Sequence, residues 1–155
     1  MLNKFMQRAI ELAIANVNSR RGGPFGAVVV RDGAILAEGT NLVTSTLDPT
    51  AHAEITAIRA ACLAVGTFQL GGCEIYSSCE PCPMCLGAIY WTRPQRVYYA
   101  STRDDAAAAG FDDLFIYDQI DLPPAERSIP METLMRAEAR AAFDAWQKLG
   151  GRVEY

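Results

Sequence analysis

Apolar residues recur at every third or fourth position over residues 2–18, a spacing that predicts an amphipathic helix packed against the rest of the protein. Two glycines and a proline within residues 20–24 end that helix, because they cannot continue it. Residues 25–30 form a short apolar run, Asp32-Gly33 is a hairpin turn signal, and residues 34–39 are predicted to return as a strand. The two strands should therefore pair antiparallel.

Helical and strand patterns alternate over the middle of the chain. Helices are predicted over residues 51–65, 83–91 and 104–109, and strands over residues 73–78 and 96–100. Strands that alternate with helices are typical of crossover connections. The sequence therefore predicts an α/β fold with a partly parallel sheet.

The pattern changes after Asp118. Leu122-Pro123-Pro124 interrupts regular structure, an alanine-rich helix is predicted over residues 132–149, and Gly150-Gly151 ends it. No internal repeat or linker separates these parts. We therefore expect one compact domain over residues 1–155, in which residues 119–155 form a C-terminal appendage.

Composition and charge narrow the class of protein. At 155 residues the chain is about one domain long, and half of its residues are hydrophobic, which is enough for a full core. The formal net charge of -4 disfavours binding along the phosphate backbone of nucleic acids, since proteins that bind there usually carry a basic face. A small, specific contact with a nucleic acid is still compatible with this charge.

The N-terminal apolar run is not a targeting signal. Lys4, Arg8 and Glu11 interrupt it, so neither a secretory core nor a membrane span fits there. Five cysteines, an odd number, argue against a disulfide framework in a chain without an export signal. We expect a cytoplasmic protein that does not contact membranes.

Two short motifs carry the chemistry of the chain. His52 and Glu54 stand two residues apart at the start of one predicted helix, and Pro81-Cys82 with Cys85 stand at the start of another. The combination H-x-E followed by P-C-x-x-C is the signature of zinc deaminases. A Cys-x-x-Cys pair at a helix N-terminus turns both sulfurs toward one point, and the helix dipole favours their thiolate form.

Three protein ligands leave one tetrahedral position of Zn²⁺ open, which is the pattern of catalytic rather than structural sites. We therefore predict one zinc ion per subunit, bound by His52, Cys82 and Cys85. Water activated at such a site is a nucleophile near neutral pH. Glu54 is placed to face that water without binding the metal, so it is the predicted general acid and base of a hydrolytic deamination.

Other functions fit these residues less well than a zinc site does. A redox role for Cys-x-x-Cys leaves Pro81 and the His-x-Glu motif without a purpose. A closed structural site would need a fourth ligand from Cys62, Cys73 or Cys79, because His52 is the only histidine. Cys62 follows helical spacing and is expected in the core, and Cys73 and Cys79 flank a strand, where packing is their ordinary role.

Beyond these motifs, the chain resembles the bacterial guanine deaminases of the cytidine-deaminase-like superfamily over nearly its whole length. The resemblance runs through Gly22-Gly23-Pro24-Phe25-Gly26-Ala27, residues 48–54, residues 79–91, Gly110-Phe111-Asp112-Asp113, Pro124-Ala125-Glu126-Arg127 and the terminal Glu154-Tyr155. The zinc motifs identify only the superfamily. The Phe-Asp-Asp segment and the terminal tyrosine are the more specific marks.

The resemblance implies hydrolysis of guanine to xanthine and ammonia, as in purine catabolism. It also implies a three-layer α/β/α fold with a central mixed sheet of about five strands. The expected assembly is a homodimer, and the C-terminal segment, residues 119–155, is expected to exchange between subunits and to close the partner's pocket.

Positions carried over from the resemblance give candidate contacts to the purine. Asn41 and Asp113 would form hydrogen bonds with the base and Phe25 would stack on it, while the backbone at Ala53 would meet the ring edge. Tyr155 would cover the base from the other chain. Each polar candidate has an ordinary alternative, since Asn41 could serve a turn and Asp113 could cap residues 114–117. Phe25 could be plain core. Chain ends usually fray, so an aromatic residue at the last position calls for an explanation, and covering the base is one.

Trp91 is the last candidate: it is expected to pack at its helix end, and lining the pocket is the alternative role. The rival substrates use the same chemistry: guanosine, a tRNA adenosine, and cytosine or cytidine. The acidic balance and the lack of a basic C-terminal run argue against RNA. A zinc-binding module without catalytic activity is the alternative from a different class, and the presence of Glu54 argues against it.

Overall fold

The computed structural model describes residues 3–155, so Leu2, which belongs to the predicted first helix, lies outside the described residues. A mixed sheet of four strands forms the centre. The strands are β1 (Gly26–Arg31), β2 (Ala34–Thr40), β3 (Cys73–Cys79) and β4 (Arg96–Ser101). Their order in the sheet is β2-β1-β3-β4. β1 pairs antiparallel with both β2 and β3, and β3 pairs parallel with β4.

The predicted hairpin and crossover are both present. Asp32 and Gly33 have φ values of 51° and 73°, the left-handed backbone that a two-residue turn between β1 and β2 requires. The parallel pair β3–β4 is joined through a helix, as crossover connections demand. The partly parallel α/β sheet expected from the sequence is therefore confirmed.

The sheet of the described residues has four strands, whereas about five were expected. Within the described residues β4 is followed only by helical segments, two of them in residues 103–121. The first opens with a capping box in which Thr102 and Asp105 satisfy each other's backbone N–H groups, and this favours a helix at that point. The helices of the chain are α1 (Lys4–Asn18), α2 (Val43–Thr46), α3 (Ala53–Val65), α4 (Pro83–Thr92), α5 (Arg103–Ala108), α6 (Leu114–Asp121) and α7 (Arg136–Lys148).

Helices cover both faces of the sheet. On one face Val28, Val30 and Tyr76 form a buried cluster with residues of α1. On the other face a larger cluster joins β1 and β3 to α3 and α4, with buried members that include Ala57 and Ile89. Burial of these apolar surfaces drives the layers together. The result is the predicted three-layer α/β/α arrangement.

Two glycines let helices approach the sheet closely. A Cβ at Gly26 would lie 2.3 Å from the carbonyl oxygen of Ala9 on α1. A Cβ at Gly39 would lie 2.3 Å from the carbonyl oxygen of Ala53, at the start of α3. The lack of a side chain at Gly39 therefore allows the first turn of α3 to lie close to β2. That turn carries the candidate site.

The chain divides into two compact units, Met1–Asp113 and Leu114–Tyr155. The second unit holds α6, a 3₁₀ turn at Pro124–Glu126, and α7. The helix expected over residues 132–149 begins only at Arg136, because Met135 has a left-handed φ of 51° that an α-helix does not contain. The helix α6 was not predicted.

Within residues 3–155, the longest apolar helical stretches fall short of what a membrane crossing needs.

Candidate active site

The N-termini of α3 and α4 meet at one point, and both begin on a predicted ligand. His52 is the N-cap of α3, with ψ of 160°, and Cys82 is the N-cap of α4, with ψ of 168°. Cys85 is the third residue of α4, so it lies in the same first turn as Cys82. The positive ends of two helix dipoles therefore face the three side chains, which favours the anionic form of the thiols.

The donor atoms of these residues form a compact set. The Nδ1 atom of His52 lies 3.5 Å from the Sγ atoms of both Cys82 and Cys85. All three ligand atoms lie within 4.8 Å of one another. One imidazole and two thiols are the ligand types that zinc prefers, so these residues fit the ion that the motif implies.

The other cysteines are engaged elsewhere. The Sγ atom of Cys79 lies 3.5 Å from the carbonyl oxygen of Thr102, and burial raises the pKa of its thiol to about 11. Cys73 is buried in the cluster beneath α3, and Cys62 packs against that cluster. The metal-binding group found among residues 3–155 thus has three ligands, which is the open, catalytic number.

Hydrogen bonds among the three ligand side chains favour the thiolate form of Cys82. The hydrogen bond from Cys85, followed by the one from His52, lowers the pKa of the Cys82 thiol to about 4. The same bond to Cys82, together with burial, raises the pKa of Cys85. The hydrogen bond to Cys82 also raises the pKa of His52. A lowered thiol pKa favours the thiolate form, which is the form that binds a divalent cation.

Glu54 lies next to these ligands, at the second position of α3. It is only 6% exposed, and burial raises the pKa of its carboxyl group. Its Oε1 atom accepts a hydrogen bond from Ser77 Oγ at 3.0 Å, and its Oε2 atom accepts one from Cys85 Sγ at 3.4 Å. A buried carboxylate beside a metal-binding group is an arrangement suited to proton transfer.

A network of backbone contacts surrounds Asn41. Its Oδ1 atom accepts hydrogen bonds from the backbone N–H groups of Gly23 (3.4 Å) and Val43 (3.2 Å). Its carbonyl oxygen accepts one from Asn16 Nδ2 at 2.8 Å, and its N–H donates to the carbonyl oxygen of Phe25 at 3.2 Å. Because Oδ1 faces backbone donors, the amide presents Nδ2 as its donor group.

The aromatic and acidic candidates lie in the same unit. Phe25 is half-buried and meets Phe111 edge to face, with ring centroids 5.0 Å apart. Burial, and then the negative charge of Cys82, raises the pKa of Asp113, and the charge of Asp113 in turn acts on His52. Asp113 is therefore electrostatically coupled to the metal ligands.

The remaining candidates occupy different positions. Ala53 is fully buried at the first position of α3, directly between His52 and Glu54. Trp91 is 61% exposed near the C-terminal end of α4, whereas the two cysteines occupy the N-terminal end of that helix. Tyr155 belongs to the second unit and is exposed. Contact of these three residues with a purine stays a prediction.

Two polar residues near the site were not predicted from the sequence. Ser77 interrupts the apolar face that β3 turns toward α3, between Ile75 and Cys79. Asn16 interrupts the apolar stripe of α1, and it is only 3% exposed. A polar residue at the core-facing position of a strand or helix was the signal that could have identified both.

Known proteins share both the zinc motifs and the fold. Residues 1–101 match the family described as the cytidine and deoxycytidylate deaminase zinc-binding region. Guanine deaminase of Bacillus subtilis is 57% identical over 97% of both chains. A tRNA-specific adenosine deaminase of Agrobacterium fabrum is 41% identical over 61% of this chain and 66% of its own.

A solved structure extends the comparison to the whole fold. The crystal structure of guanine deaminase from Bacillus subtilis has a TM-score of 0.96 and 56% identity, and the match covers 99% of each chain. These findings confirm the resemblance noted from the sequence. The chain therefore belongs to the zinc-dependent cytidine and deoxycytidylate deaminase family and is an enzyme of the zinc aminohydrolase type.

Proposed function

We propose that this enzyme hydrolyses guanine to xanthine and ammonia. The observation that carries the proposal is the extent of similarity to the Bacillus subtilis guanine deaminase, which spans 97% of the chain. The match to the tRNA-specific adenosine deaminase of Agrobacterium fabrum covers only 61% of the chain, and the match to the deaminase family ends at residue 101. Similarity over the C-terminal third therefore favours guanine over a tRNA adenosine.

The residues that would hold the metal are His52, Cys82 and Cys85. When bound, zinc supplies the Lewis acidity that makes water a nucleophile near neutral pH. The two helix N-termini stabilise the thiolates, and the buried surroundings of Cys85 and Glu54 exclude bulk water from the proton transfers.

Glu54 moves the protons of the reaction. It takes a proton from the attacking water as the bond between oxygen and C2 of guanine forms, and delivers that proton to the adjacent ring nitrogen. It then transfers the second proton of the water to the amine as the C2–N bond breaks. Guanine and water thus become xanthine and ammonia, and Glu54 returns to its original charge.

Three side chains and one backbone segment would orient the base. Asn41 offers Nδ2 to a purine acceptor, because backbone N–H groups already occupy its Oδ1. Asp113 accepts a hydrogen bond from N1–H of guanine, a donor that adenine lacks. Phe25 stacks on the ring, and the backbone at Ala53 meets the ring edge.

The assembly we propose is a homodimer in which the C-terminal segment covers a second copy. No residue of the second unit, Leu114–Tyr155, is buried. A helix as short as α7 is marginal without packing, and its Phe143 and Trp146 are apolar residues exposed on one side. Apolar residues of the first unit are exposed as well, with Ile10, Ile14 and Val17 lining a pocket of about 470 Å³ beside α1.

In this assembly Tyr155 would close the purine pocket of the partner. The enzyme is expected to work in the cytoplasm, where reducing conditions keep thiols available for a metal. Support for that location comes from the five cysteines, all of which carry free thiols in the described chain.

The substrate is tested by measuring ammonia release from guanine, guanosine, adenine, cytosine and cytidine with the zinc-loaded protein. We expect the highest kcat/KM with guanine, and xanthine as the product. If guanosine were preferred, the proposed site residues would stand and the nucleoside would replace the base as the proposed substrate. No release from any of the five would contradict the proposal, and a tRNA substrate and then a non-catalytic zinc module would be the next candidates.

The exchange of the C-terminal segment is tested by complementation. A full-length Glu54→Gln chain and a chain lacking residues 152–155 are co-expressed with different tags and purified as the mixed dimer. If the tail acts on the partner, the truncated chain recovers activity to roughly half the wild-type value, since one of the two sites is complete. A tail that acts on its own chain would leave the mixed dimer as inactive as its two parents, and a monomer in light scattering would contradict the dimer itself.

A further inference from the structure

The two oxygens of the Glu54 carboxylate have different neighbours. Oε1 faces β3, where it accepts the hydroxyl hydrogen of Ser77 at 3.0 Å. Oε2 faces the metal ligands and lies 3.4 Å from Cys85 Sγ. The carboxylate therefore has one side held by the sheet and one side turned to the site.

Ser77 occupies a rigid part of the fold. It lies in β3, which is hydrogen-bonded on both edges, and it pairs with Ala27 of β1 and Tyr99 of β4. Its side chain is only 2% exposed. A hydroxyl attached to a doubly paired strand offers a fixed point for a carboxylate on a neighbouring helix.

We propose that Ser77 is a positioning residue, whose hydroxyl holds Oε1 of Glu54 so that Oε2 is the oxygen that exchanges protons during deamination. The inference rests on the proposed function and deepens it. Glu54 must serve the water, a ring nitrogen and the departing amine in one turnover. If the carboxylate rotated about its last side-chain bond, its two oxygens would change places. The proton that it carries would then point away from the water, the ring nitrogen and the amine.

The neighbouring residue of the same strand provides a matched control. Ser78 is also buried, at 7% exposure, and its side chain lies on the opposite face of the sheet. Its Oγ atom accepts a hydrogen bond from the backbone N–H of Gly26 at 3.0 Å. Changing Ser78 to alanine removes a buried hydroxyl from β3 without touching Glu54.

The experiment compares zinc-loaded Ser77→Ala, Ser77→Thr and Ser78→Ala with the wild type, using guanine as the substrate. We expect kcat of Ser77→Ala to fall about 10- to 100-fold while KM stays within about threefold, because alignment for proton transfer is lost and binding is not. Threonine keeps the hydroxyl and should restore most of kcat, and Ser78→Ala should stay near the wild type.

Two measurements do not depend on turnover. Zinc content should stay at one ion per chain in all three variants, and a crystal structure of zinc-loaded Ser77→Ala should show the Glu54 carboxylate turned away from its wild-type orientation. An unchanged carboxylate or unchanged kcat in Ser77→Ala would overturn the inference. Loss of zinc or of folding in Ser77→Ala would also overturn it, because the hydroxyl would then serve stability.

The kinetic pattern separates this inference from the proposed function. A wild-type enzyme that releases no ammonia from guanine contradicts the proposed function, whatever Ser77 does. A wild-type enzyme that deaminates guanine, together with equal losses of kcat in Ser77→Ala and Ser78→Ala, contradicts only the role of Ser77.

Discussion

The side-chain amide of Asn16 donates a hydrogen bond of 2.8 Å to the backbone carbonyl of Asn41. The same Nδ2 atom donates to the carbonyl of Gly23 at 2.9 Å. One buried amide on α1 thereby joins two loops, and these loops carry Asn41 and Phe25, two of the proposed purine contacts. The N-terminal helix is thus linked to two of the proposed substrate contacts, although it supplies no candidate contact itself.

Asn16→Asp should weaken substrate binding more than catalysis. The carboxylate keeps the shape of the amide but has no N–H to donate, and it faces two carbonyl oxygens. We expect KM for guanine to rise by about tenfold, the equivalent of about 1.4 kcal/mol, because the two buried hydrogen bonds that hold these loops are lost. Asn18→Asp, the same change at an exposed position of α1, is the control in steady-state kinetics. A fall in kcat at constant KM would contradict this role.

The three-ligand assignment predicts different outcomes for three cysteines of one segment. The zinc affinity of Cys82→Ser and Cys85→Ser should fall by more than about 100-fold, because each variant loses a ligand. Loss of a residue that only orients a ligand already lowers metal affinity by about 10- to 100-fold. Cys79→Ser should keep its zinc, because Cys79 Sγ contacts the carbonyl of Thr102 instead. Zinc content after dialysis against a chelator measures the difference. Zinc loss in Cys79→Ser with retention in Cys85→Ser would show that Cys79, and not Cys85, binds the metal.

Glu54→Gln should separate metal binding from chemistry. The amide keeps an oxygen that can accept the Ser77 hydrogen bond, but it cannot take a proton from water. We expect normal zinc content and a kcat lower by about 10²- to 10⁴-fold. Glu11→Gln, on the exposed side of α1, is the control and should leave kcat unchanged. Substantial residual turnover in Glu54→Gln would remove Glu54 from the mechanism.

Gly39→Ala should destabilise the protein and disturb the site together. The added Cβ would lie 2.3 Å from the carbonyl oxygen of Ala53 and 2.4 Å from the backbone nitrogen of Ala57, so the first turns of α3 must move. We expect the free energy of unfolding to fall by about 1–3 kcal/mol, measured by denaturant titration, and kcat to fall as well. Gly71→Ala has no atom within 4 Å of the new Cβ and should cost little. Equal stability of the two variants would show that β2 and α3 can separate without cost.

Local sequence signals were sufficient for most of the first unit. The left-handed turn at Asp32-Gly33 and the proline at the first position of α4 are features of a few adjacent residues, and the elements beside them were predicted to within about two residues. The metal ligands were predictable for a similar reason. Their spacing places them at helix N-termini, and zinc chemistry restricts the residue types.

The remaining features depend on contacts between distant segments. The bond from Ser77 to Glu54 joins residues 23 positions apart, and the bond from Asn16 to Asn41 joins residues 25 positions apart. Neither follows from spacing along the chain. The early start predicted for α7 failed for another reason, because alanine-rich composition favours a helix but does not show that Met135 adopts a left-handed backbone.

The convergence of two helix N-termini on one ligand set makes the fold itself respond to metal supply. His52 and Cys82 are 30 positions apart, so an ion that binds both closes a long loop and joins α3 to α4. Such an ion binds the folded chain in preference to the unfolded one, and it adds stability in proportion to the logarithm of its free concentration. The concentration of folded enzyme in a cell should therefore rise and fall with available zinc, independently of how much purine is present.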